Sequence, residues 1–95
     1  MRVNVTQKDI DEGVRRSSCE CPIALALKRV TQAPYITVGH SYARWGAAMR
    51  DPGVKYGWFP STASQFVADF DNDGVGKPFS FELEEAHYYG HGRER

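Results

Sequence analysis

Between residues 60 and 83 the apolar spacing switches from a helical to a strand period, and a glycine marks the switch. Phe66, Val67 and Phe70 fall on one stripe of a helix. Thr62 and Gln65 have capping-box spacing at its start. Gly74 follows the run Asp71-Asn72-Asp73 and supplies the stop. In Pro78-Phe79-Ser80-Phe81-Glu82-Leu83 the apolar residues then alternate with polar ones, as in a strand with one buried face. A capped helix, a glycine stop and a closing strand account for almost every residue here. None of them belongs to a catalytic motif.

The same logic applies upstream. Val3 and Val5 alternate with polar neighbours, which predicts a half-buried strand. Thr6 is a suitable N-cap, with Asp9 three residues on, for a short helix over residues 7–12 that buries Ile10 and stops at Gly13. Pro22 suits a first helical turn. Ile23, Leu27 and Val30 follow on one face, with Ala24 and Ala26 permitting close packing, Lys28 and Arg29 near the negative end, and Pro34 beyond it. Tyr35 to Trp45 reads as one long strand: Ile36, Val38, His40, Tyr42 and Arg44 on one face, Tyr35, Thr37, Ser41 and Trp45 on the other. Asp51-Pro52-Gly53 is a turn signal, and Val54 to Phe59 returns as a strand.

This order of elements predicts an α+β fold: one small two-layer domain over residues 1–86, with a three- or four-stranded antiparallel or mixed sheet and two main helices on one face. Its expected core is Val3, Val5, Ile10, Ile23, Leu27, Val30, Ile36, Val38, Phe66, Phe70, Phe79, Phe81 and Leu83. The glycine-rich, charged segment 87–95 is expected to be a flexible tail. A chain of 95 residues has no room for a second core.

Composition narrows the function classes. Twelve basic and twelve acidic residues cancel, so charge does not point to a nucleic-acid polymer as partner. No apolar run approaches the roughly 20 residues of a membrane helix, and Met1-Arg2-Val3-Asn4-Val5 enters a strand pattern rather than a signal peptide. Two cysteines, Cys19 and Cys21, stand one residue apart, too close for an ordinary structural disulfide. The expected location is therefore the cytoplasm, with reduced thiols. Aromatic residues make up 13% of the chain, more than its core can hide, which together with the zero net charge favours a homo-oligomer.

Four constellations carry potential chemistry. Asp69, Asp71 and Asp73 with Gly74 open like a calcium loop, but the position that needs a bidentate Glu is Ser80, and Asp69 falls inside the predicted helix. A polar helix end is the simpler reading. Cys19 and Cys21 with His87 and His91 make four zinc-type ligands, yet a single residue between the cysteines is a poor chelate spacing. No metal or other cofactor is expected. Arg15 and Arg16, just before the Pro22 helix, suit an anion, but a solvated polar loop is the favoured reading. The fourth group is a concentration of rings and cations on one hairpin: His40, Tyr42, Arg44 and Trp45, then Lys55, Tyr56 and Trp58. Such groups stack on bases and hold phosphates, and they also make interface hot spots.

The segments Val5–Gly13, Cys21–Leu27, Ile36–Gly39, Phe66–Asp71 and Pro78–Leu83 together resemble a small family of bacteriophage proteins of unassigned function. The resemblance implies a phage product acting inside the bacterial host cell, and it carries over no catalytic residue. Three function classes follow. One is a non-catalytic binding protein that sequesters a small anionic or nucleotide-like ligand, such as a host immune signal, with Arg15, Arg16, His40, Tyr42, Arg44, Trp45, Tyr56 and Trp58 as binding residues. The second is an interaction module that inhibits a host enzyme through the 40–58 hairpin. The third, a small hydrolase or metal-dependent enzyme, lacks any nucleophile–base pair or ligand set at persuasive spacing. The mixture of stacking rings with cations and a histidine favours the first.

Overall fold

The computed structural model describes residues 1–86. Strand β1 (Arg2–Val5) turns Val3 and Val5 inward and leaves Arg2 and Asn4 exposed, as its alternation predicts. Helix α1 (Gln7–Glu12) begins with a complete capping box. The Asp9 N–H donates to the Thr6 hydroxyl at 3.2 Å, and the Thr6 N–H donates to the Asp9 carboxylate at 2.9 Å. Helix α2 (Pro22–Thr31) buries Ile23, Ala24, Ala26 and Leu27. Val30, expected in the core, is 47% exposed because it lies in the last turn, where the helix runs past the core. Arg29 reaches back from α2 and grips both oxygens of the buried Asp9 at 2.8 and 2.9 Å, pinning the two helices together.

The segment from Tyr35 to Trp45 is not one strand. It forms β2 (Tyr35–Val38) and β3 (Tyr42–Gly46), paired antiparallel with Val38 opposite Ala43 and Ile36 opposite Trp45. The Gly39 N–H donates to the Tyr42 carbonyl at 2.8 Å and closes the turn. That turn resets the alternation. Ala43 and Trp45 join Ile36 and Val38 on the buried face, and Tyr42 and Arg44 move to the opposite one. Strand β4 (Lys55–Trp58) pairs with β3, and β6 (Glu84–Ala86) pairs with β4, which gives an antiparallel sheet in the order β2-β3-β4-β6.

Helix α3 (Ser61–Asp73) starts without a side-chain cap at Pro60. Gln65 donates to Asp69 at 2.9 Å, so the expected Thr62–Gln65 capping box does not form. At the other end Gly74 adopts φ 75°, and its N–H donates to the Phe70 carbonyl at 2.7 Å, the left-handed stop that glycine permits. Phe66 stands between Phe70 and Phe79, with ring centroids at 5.8 and 4.8 Å. Phe79 and Phe81 lie on strand β5 (Phe79–Glu82), and their rings are 5.6 Å apart. Phe66 and Phe79 are half-buried edges of the core rather than its centre.

Strand β5 pairs with β1 in a second, two-stranded antiparallel sheet, with Val3 opposite Phe81. The architecture is therefore α+β with three helices and two antiparallel sheets, where one sheet was expected. The final strand predicted through Leu83 divides there. The Leu83 N–H donates to the Met1 carbonyl at 2.8 Å, and the next residue begins β6 in the other sheet. Leu83 itself is 1% exposed and lies over Gly57, where any Cβ would stand 2.6 Å from its side chain. Gly57 is there for that close approach.

Candidate functional site

The predicted binding residues separate into two places and two structural posts. Tyr42, Arg44, Tyr56 and Trp58 share the outer face of the four-stranded sheet. Trp45 is a core residue, 5% exposed, on the opposite face. Lys55 pairs with Trp45 and so leaves the aromatic group as well. Arg15 is a clamp on the end of α3: its guanidinium donates to the Asp71 carbonyl at 3.1 Å and also to the Asn72 carbonyl. A cation from a distant loop thereby satisfies carbonyls that α3 leaves open, at the negative end of the helix dipole.

On the outer face, cross-strand register does the assembling. Thr37, Arg44 and Tyr56 form one row, and Tyr42 stands opposite Trp58. The Arg44 guanidinium carbon sits 5.8 Å from the Tyr35 ring centroid and 5.3 Å from that of Tyr56. Two rings hold the cation by its π faces. The Tyr35 hydroxyl accepts from Thr37 at 2.9 Å, which steadies that ring. Arg44 makes no salt bridge among the described residues, and its Nε is buried with no hydrogen-bond partner there. Beside it the Tyr42 and Trp58 rings meet at 6.2 Å and 60°, with Trp58 52% exposed. This arrangement can stack a planar group and neutralise an anion.

The other place is a cleft of about 270 Å³ between the start of α2, the β2–β3 turn and α3. Pro22, Ile23, Val38 and Phe70 form its floor, and Arg16, His40 and Asp71 stand among its polar lining. Arg16 has φ 58°, a left-handed conformation uncommon outside glycine, and its N–H donates to the Asp71 carboxylate at 2.9 Å. The Cys21 thiol also lines the cleft. Burial pushes its pKa up, the Asp71 carboxylate pushes it further, and N–H groups of Ala24 and Ile23 offset only part. It is a protonated thiol at neutral pH and a poor nucleophile.

Tyr35 and Thr37 escaped the sequence reading because their partner Arg44 was placed on the wrong face. Asp71 was read as a calcium candidate, but one of its oxygens takes the Arg16 N–H, while Asp73 takes the N–H of Val75. The zinc candidates His87 and His91 lie outside the described residues, as does the whole 87–95 tail. Among the described residues there is no cluster of three metal-ligating side chains, and no helix is long and apolar enough to cross a membrane. No protein-family model, curated protein or solved structure matches the chain.

Proposed function

We propose that this chain is a non-catalytic binding protein that captures a nucleotide-like anion on the outer face of its four-stranded sheet. The observation that carries the reading is Arg44, stacked between Tyr35 and Tyr56 with no counter-ion among the described residues. A guanidinium held by rings is pre-organised for a phosphate, since little side-chain freedom remains to be lost on binding. Tyr42 and Trp58, whose rings meet at 6.2 Å beside it, would stack a base. Two copies related by a two-fold axis would turn this open face into a closed site. In the phage setting implied by the resemblance, capture of a host immune signal gives such binding a purpose, and no turnover is required of it.

One observation favours a protein partner instead. The outer-face rings line no part of the cleft, and Trp58 presents half its surface to solvent, as an interface anchor does. Calorimetry against a panel of cyclic and linear nucleotides separates the readings. Binding should weaken strongly in Arg44→Ala and by about 1–3 kcal/mol in Trp58→Ala, with the ligand recovered unchanged. If no nucleotide binds, while the chain retains a host protein that Trp58→Ala releases, the interaction module replaces ligand capture.

A further inference from the structure

The cleft is unclaimed by the reading above, and its chemistry differs from that of the sheet face. Its floor is apolar, with Phe66 and Val67 of α3 adding to Pro22, Ile23, Val38 and Phe70. Its volume of about 270 Å³ lies just below the usual range of small-molecule sites, so an occupant must be small. Its polar side offers an anion two features. First, α2 begins there, and its first turn contains no acidic residue and no side-chain cap bond, so the positive end of the dipole is left uncompensated by its own side chains. Second, the lining contains the Arg16 guanidinium and a single carboxylate, Asp71, while Arg15 lies outside it, committed to the end of α3. Arg16 is the group left over. Its guanidinium has no partner among the described residues, and its backbone is held left-handed by Asp71. A strained non-glycine residue at the lining of a cleft is where binding groups concentrate.

We propose that this cleft is a second binding site, one that takes a small amphipathic carboxylate. The apolar body, no larger than a single ring or a short acyl chain, lies on Ile23, Val38 and Phe70. The carboxylate meets Arg16, with His40 on the same side. Asp71 acts as a positioning residue that fixes the Arg16 backbone and never touches the ligand's head group.

Amide chemical shifts of the ¹⁵N-labelled full chain test this with three probes of one length: hexanoate, hexanol and hexylammonium. Hexanoate should give saturable shifts at Ile23, Gly39 and Val67, with hexanol about tenfold weaker for want of the charge-assisted contact. Hexylammonium should not saturate. Arg16→Gln, at an exposed side chain, should bring hexanoate down to the hexanol level, and Val67→Trp should block both. Equal binding of the three probes, no saturable shift with hexanoate, or unchanged hexanoate affinity in Arg16→Gln overturns the proposal. So do shifts centred on Tyr42 and Trp58, because they move the ligand to the sheet face. Nucleotide binding on that face is read at different amides, so either reading can fail without the other.

Discussion

The outer sheet face and the cleft are built from different kinds of residue. On the face, strand alternation separates the two tasks. Ile36, Val38, Ala43 and Trp45 hold the core from one side of β2 and β3, while Tyr35, Tyr42 and Arg44 work from the other. In the cleft the same atoms do both. Ile23, Val38 and Phe70 belong to the hydrophobic core and also form the floor. The face can therefore change chemistry without changing the fold, whereas the cleft cannot.

The sharpest challenge to that contrast is Phe70→Ala. The ring is 3% exposed, so truncation should cost about 3–5 kcal/mol in urea denaturation and empty the cleft floor together. A loss below about 1 kcal/mol would detach the cleft from the core. Gly57→Val comes next. It inserts side-chain atoms into the space of Leu83, and overpacking of that kind should cost about 1–3 kcal/mol. Because Gly57 lies on the buried side of β4, this change should disturb the face only by loosening the sheet beneath it.

Acid should act on the α1–α2 contact before the outer sheet face. Burial raises the Asp9 carboxyl, but the Arg29 guanidinium together with the Thr6 N–H and hydroxyl outweighs it, leaving the pKa below the ordinary 3.8. A group depressed in the folded state stabilises fully above its unfolded pKa and loses that contribution as pH falls through the folded value. Stability should thus be level near neutrality and decline below about pH 4. Amides of α2, which Arg29 ties to Asp9, should lose hydrogen-exchange protection there earlier than those of β3 and β4. Simultaneous loss would make the pair irrelevant to where opening begins. The smallest effect belongs to Trp58→Ala: an exposed ring whose removal should leave stability within about 0.5 kcal/mol in the same denaturation experiment. A larger cost would make Trp58 a structural residue and blur the division of labour on the sheet.

The boundaries that local chemistry controls were legible in the sequence. The Thr6 N-cap, Pro22 at a first turn and the Gly74 stop all act within a few residues of themselves, and each stands where expected, although the Thr62–Gln65 capping box does not form. What escaped were events with a distant or weak local signal. The β2–β3 turn at residues 39–41 has no Asn-Gly or Asp-Gly pair, so alternation was carried straight through it, which inverted Tyr42, Arg44 and Trp45 together. The change of sheet at Leu83 depends on Met1 and Gly57, far away along the chain. The same is true of Arg15. Its role rests on carbonyls 56 and 57 residues downstream, which no window of sequence around it contains. Of the candidate site, the residue types were legible and their grouping was not.

The pairing of β1 with β5 has a consequence in time. Among the described residues β5 is the only strand partner of β1, and Asn4 lies opposite Ser80, 76 residues later. During synthesis at about 5–20 residues per second, the first strand waits several seconds for its partner to leave the ribosome. Until then Val3 and Val5 have no sheet to join. Closure of so long a loop late in folding makes for a slow, all-or-none transition. A nascent chain stalled short of Phe79 would expose β1 as an unpaired, valine-bearing edge, the kind that chaperones are there to hold.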